Sequence, residues 1–145
     1  MMDGPRSAHR LRITHESDVV VARAKVRDLA LQAGLSEPAV AELATAVSEI
    51  ARNIVVHAGD GELSIATAGD SMRRGVVVTA RDRGPGIADV ARAMHDGHST
   101  GTGLGLGLPS AERLVDEFEI ESTVGSGTTV TLRKWARASL YFSAS

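Results

Sequence analysis

The chain has 145 residues, no cysteine and a formal net charge of −2, which bounds it to a single domain able to bury a core without disulfides or a structural metal. The missing cysteines exclude zinc–thiolate sites, thiol nucleophiles and disulfide frameworks, and fit a reducing cytoplasm. The charge is near balance and the few aromatics are not interleaved with basic clusters, so nucleic acid is not an expected partner; without an apolar leader or an apolar run of about 18 residues, neither is a membrane.

Residues 1–9 are expected to be a flexible N-terminus, 10–135 one folded domain and 136–145 a loosely ordered tail. Residues 10–14 alternate polar and apolar as a short strand does, and Ser17-Asp18 reads as the N-cap of an amphipathic helix running to Ala33, with Gly34 as its stop. Ser36-Glu37-Pro38 repeats the start signal, and Val40, Leu43, Ala44, Val47, Ile50 and Ile54 recur at helical spacing through residues 37–57. Residues 61–68 and 75–80 read as a hairpin-like strand pair. A loop at 82–88, a short helix near 89–96, a glycine run and a helix over about 105–117 follow, and strands at 118–123 and 128–135 flank the turn 124–127. Strands and helices grouped in separate runs predict an α+β, two-layer sandwich.

Between Gly101 and Gly107 the chain reads Gly-Thr-Gly-Leu-Gly-Leu-Gly. So bare a backbone can fold tightly around an anion, and Leu108-Pro109 behind it opens a helix whose N–H groups attract phosphate. The alternative is a weak strand with leucines on one face, which the interior glycines oppose. Neither a P-loop Gly-Lys-Ser/Thr nor a Gly-x-Gly-x-x-Gly fingerprint nor an Asp-Phe-Gly is present.

Glu49 and Asn53 lie four apart, one turn from each other on one helix face, in an otherwise apolar and small-residue stretch. An exposed pair at this spacing is the ordinary reading; beside a phosphate loop the two become a base and a magnesium ligand. Asp82-Arg83-Gly84-Pro85-Gly86 follows an apolar strand. An acid there either starts a common turn or accepts hydrogen bonds from an exocyclic amine while the glycines let a flat ring approach. His57, one further turn along from Asn53, reads as a packed or capping helix-end residue, because no second metal ligand is suitably spaced. Trp135 reads as core or edge packing, and the arginines at 73, 74, 81 and 83 as solvated surface.

In order, Glu49-x-x-x-Asn53, Asp82-x-Gly84-x-Gly86, the glycine run and Gly125-Ser-Gly127-Thr128 resemble the N box, glycine boxes and lid of the GHKL ATPase superfamily of gyrase, Hsp90, histidine kinases and MutL. Further stretches, including Ala46–Ile54, Asp82–Ile87, Met94-x-Asp96-Gly97, Ser99-Thr100, Arg113-Leu114 and Asp116–Phe118, are similar to the bacterial anti-sigma-type serine/threonine kinases, and most nearly to their partner-switching members. The likeness runs from Leu11 to Trp135; His98 departs from it, standing where the family has an aromatic.

The resemblance implies a mixed sheet with helices packed on one face, and Mg-ATP as ligand. Asp82 would hold the adenine amine with Thr128 beside it, Gly84 and Gly86 would shape the pocket floor, and Asn53 would bind Mg2+ on the phosphates. Gly101, Gly103, Gly105 and Gly107 would form the ATP lid, Ser99 and Thr100 would either touch phosphate or be merely flexible lid residues, and Glu49 would be the general base. The implied activity is a cytoplasmic serine/threonine protein kinase that phosphorylates a STAS-domain antagonist and, once released, activates a PP2C-type phosphatase. The alternatives are a kinase that sequesters a sigma factor and a non-catalytic, nucleotide-gated binding module. A full histidine kinase is not expected, because the N-terminal stretch is too short for a dimerisation helix carrying a phosphoacceptor histidine.

Overall fold

The computed structural model describes residues 8–70, 72–95 and 107–137. Along the chain these form β1 (His9–Ile13), α1 (Glu16–Gln32), α2 (Glu37–Asn53), a π-helical turn (Ile54–Ala58), β2 (Gly61–Gly69), β3 (Arg74–Asp82), α3 (Val90–Ala93), α4 (Leu108–Arg113), β4 (Glu117–Thr123) and β5 (Gly127–Trp135). The expected α+β two-layer architecture is present. Among the described residues no helix is long and apolar enough to cross a membrane.

The five strands lie in the order β1-β2-β3-β5-β4. The mixed sheet expected from the resemblance is corrected: all four pairings are antiparallel. The reason is topological. β3 and β4, joined through α3 and α4, do run parallel, but the tight turn 124–126 folds β5 back between them and removes their direct pairing.

The N-cap of α1 is His15 rather than Ser17 or Asp18. Asp18 sits one turn inside the helix, where its carboxylate accepts the backbone N–H groups of Thr14 and His15, both at 2.9 Å. Those hydrogen bonds, Thr14's first and His15's second, hold the Asp18 carboxyl below the usual carboxylate range. α2 begins as expected, with Ser36 Oγ accepting the Ala39 N–H at 3.3 Å and Pro38 in the first turn. Its α-helical part ends at Asn53, and the expected last turn to His57 is a π turn closed by Gly59 N–H on Ile54 O at 2.7 Å.

Two predicted helices are shorter than their sequence windows. α3 is a single turn, capped by Asp89 Oδ1 on the Arg92 N–H at 3.0 Å. α4 stops at Arg113 because the chain must enter the sheet: Asp116 N–H already donates to Arg133 O at 2.9 Å, and β4 starts one residue later. The core lies between the helical layer and the inner sheet face, where Leu43, Val47, Ile50 and Ile54 of α2 and its π turn share one apolar cluster with Leu63, Ile65, Val76, Val78 and Leu132. Removing a side chain of that size from water contributes about 1.5–3 kcal/mol. Packing therefore fixes α2 over the sheet, and with it every polar group that α2 carries.

Candidate nucleotide site

β3 and β5 pair from Gly75 opposite Trp135 to Asp82 opposite Thr128, so the two polar residues meet at the end of the ladder beneath the end of α2. Asp82 is the last residue of β3 rather than the first of the loop. Its Oδ1 accepts the Gly84 N–H at 2.9 Å and the Thr128 N–H at 3.3 Å. Its Oδ2 takes no hydrogen bond from the described residues. The close approach depends on Gly127, whose φ is +116°, and a Cβ there would overlap the Asp82 carbonyl oxygen.

Asn53, Asp82, Gly86 and Thr128 line one cavity of about 380 Å³. Its apolar walls include Ile50, Ile54, Ala80, Ile87, Leu108 and Val130, and the charged or polar side chains of His57, Asp89 and Arg92 also line it. A slot with apolar walls and a fixed carboxylate and hydroxyl at one end fits a flat heterocycle bearing an amine. Gly84 is not part of the lining; it packs on Ala58 and acts through its N–H, orienting Asp82.

Glu49, one turn before Asn53 and half-buried, lies outside the cavity lining. Its carboxylate rests instead on Gly107, the N-cap of α4, where φ is +71° and a Cβ would overlap Glu49 Oε1. The structure thus brings Glu49 to the last glycine of the run, while Gly101, Gly103 and Gly105, with His98, Ser99 and Thr100, lie outside the described residues, as does the tail from 138 onward.

His57, expected to pack or cap the helix end, is exposed and lines the cavity on the π turn beyond Asn53. Trp135 is half-buried at the end of β5, which is an inner strand of the sheet. The motifs did not reveal Ser122. Its Oγ accepts the Ile87 N–H at 2.7 Å, lies 2.7 Å from Thr128 Oγ1 and 3.2 Å from Gly127 O, and so ties the Asp82–Ile87 loop to β5. The available signal was a hydroxyl continuing the core-facing alternation Phe118, Ile120, Ser122.

A one-sided α+β sandwich with a fixed carboxylate and a hydroxyl at the end of an apolar slot defines a nucleotide-binding domain. Residues 13–134 match the histidine kinase-like ATPase domain family. The chain belongs to that family, as a GHKL-type, ATP-using serine/threonine protein kinase. It is 43% identical over 127 residues to the serine/threonine-protein kinase RsbT of Bacillus subtilis, a match spanning 88% of this chain and 96% of that one. It is also similar to the anti-sigma F factors of Caldanaerobacter subterraneus subsp. tengcongensis, 32% identical over 118 residues (79% of this chain, 82% of the relative), and of Geobacillus stearothermophilus, 33% identical over 118 residues (78% and 81%).

Proposed function

We propose that this protein transfers the γ-phosphoryl group of ATP to a Ser or Thr of a STAS-domain antagonist and, once released from that partner, activates a PP2C-type phosphatase. The observation that carries the catalytic part is the convergence of Asn53, Asp82, Gly86 and Thr128 on one apolar-walled cavity, with Glu49 set one turn away against Gly107. The partner assignment draws on the likeness to RsbT over nearly the whole of both chains.

In this reading Asp82, with Oδ1 engaged by Gly84 and Thr128, offers Oδ2 to the adenine amine, and the Thr128 hydroxyl shares that edge. Ala80, Ile87 and Val130 flank the ring. Among the described residues no group of three or more His, Asp or Glu could hold a bare metal ion. The Asn53 carboxamide oxygen, a hard ligand facing the same cavity, suits a Mg2+ ion that arrives on the nucleotide. Asn53 would hold the ion there, and the chemistry it would supply is neutralisation of charge on the phosphates. The resemblance assigns backbone donors for the phosphates to Gly107 and to Gly101, Gly103 and Gly105, of which the last three lie outside the described residues. Glu49 takes the proton of the attacking hydroxyl as its oxygen bonds to the γ-phosphorus and the bond to the departing ADP oxygen breaks.

Incubation with γ-labelled ATP and candidate STAS-domain proteins tests the assignment. Glu49→Ala should cut label transfer on the order of 10²–10⁴-fold while nucleotide affinity stays within a few-fold, whereas Asp82→Asn should weaken binding at least about tenfold. Transfer at the normal rate by the Glu49 variant would sink the base; tight ATP binding with no label on any acceptor would sink the kinase–partner reading. The anti-sigma F factor relatives favour a second reading, a kinase that also holds a sigma factor, and co-purification with a sigma factor instead of a phosphatase would select it.

A further inference from the structure

The inward positions of β5 read Val130, Leu132, Lys134, so an ammonium stands where the alternation calls for a third apolar side chain. Lys134 is only 8% exposed. Its Nζ donates to Leu114 O at 2.8 Å and lies 3.0 Å from Glu42 Oε1. Leu114 is the C-cap of α4, and Glu42 stands on α2.

These positions form a frame. Glu42 precedes Glu49 by seven residues, and Gly107 precedes Leu114 by the same number. Glu49 touches Gly107 at one end and Glu42 reaches Leu114 through Lys134 at the other, so α2 and α4 run antiparallel with two cross-links about 10 Å apart. Leu108 and Ala111, both buried, fill the space between them. At six residues α4 cannot hold its own geometry, and its place is set by what it is tied to. Burying an ammonium carries a desolvation penalty that an apolar chain of equal length avoids, so packing alone does not account for Lys134; its directional bond to the α4 carbonyl does.

We propose that Lys134 is a positioning residue for phosphoryl transfer: it locks α4 to α2 and so holds Gly107, the N-cap of α4, against the Glu49 carboxylate. The inference rests on the reading of Glu49 as the base. Lys134→Met keeps the unbranched stem and removes the donor and charge. At saturating ATP, its label transfer to the STAS-domain acceptor should fall on the order of tenfold, with affinity for a fluorescent ATP analogue within about twofold of normal. Amide exchange over residues 108–114 should quicken, and Lys134→Arg should recover most of the rate.

An unchanged transfer rate in Lys134→Met, or parallel losses of affinity and rate, overturns the proposal. If that variant does not fold, Glu42→Gln on the more exposed partner should show the same split with a smaller drop, and a normal rate there overturns it equally. If Glu49→Ala still transfers at the normal rate, the base assignment falls alone. The lock is then judged by amide exchange, and unchanged exchange over 108–114 in Lys134→Met overturns it.

Discussion

The two ends of the β3–β5 ladder share one backbone geometry and have opposite fates. At the Gly75 end, the Trp135 ring covers the strand, Arg73 stacks on the indole at 3.8 Å, and Nε1–H donates to Glu117 Oε2 at 2.8 Å. The Trp135 backbone N–H goes to Asp116 Oδ2, also at 2.8 Å. At the Asp82 end no large side chain among the described residues closes the ladder: Asp82 engages Gly84 and Thr128 through one oxygen, and apolar walls stand apart around a cavity. A ladder end becomes a seal or a site according to whether a bulky side chain satisfies it from within. Here the small residues Gly127 and Thr128 keep one end open.

Gly127→Ala should break this contrast most strongly. Strain at φ +116° costs about 1–3 kcal/mol, and the new methyl would push Asp82 off its place, so both melting temperature and nucleotide affinity should drop together. A variant with normal affinity would show that the close approach of the two strands does not shape the site. Ser122→Ala comes next. Losing the hydroxyl that joins Ile87, Gly127 and Thr128 should weaken nucleotide binding about fivefold, equivalent to about 1 kcal/mol, as measured by titration with an ATP analogue. Trp135→Phe, which removes the donor to Glu117 at the sealed end, should lower stability by a similar amount and leave nucleotide affinity alone. Equal affinity losses from Ser122→Ala and Trp135→Phe would erase the distinction between the ends.

The smallest effect lies far from both ends. Asp18 is held below the usual carboxylate range by the N–H groups of Thr14 and His15, so its ionised form favours the folded state. That contribution is present above the ordinary carboxylate pKa and is lost as pH falls through the depressed folded-state value. Asp18→Asn should therefore lower stability near neutrality, flatten the acid limb of the stability curve and converge with the parent at low pH; an unaltered limb in pH-dependent melting would refute it.

Local chemistry made much of the fold readable. The Ser36 cap with Pro38, the helical spacing from Val40 to Ile54 and the alternation in β2, β3 and β5 each report a preference that acts within a few residues. The order of Glu49, Asn53, Asp82 and Thr128 likewise carried the family resemblance, because glycines and short polar side chains at fixed spacing leave a linear trace. The antiparallel sheet was not readable, since it depends on β5 returning between β3 and β4. Nor was the cap of α1 at His15, because Asp18 can cap from inside the first turn as readily as from its edge.

By itself, then, the sequence determined the two-layer α+β class and the order of the helices and strands, and it carried the motifs of the family resemblance. Only the tertiary structure decided which of those residues share a cavity, that Glu49 rests on Gly107 outside it, and that Ser122 and Lys134 brace the arrangement. The reason is physical: periodicity and capping are short-range, whereas Ser122 meeting Ile87 and Lys134 meeting Glu42 require segments far apart in the chain to be brought together by core packing.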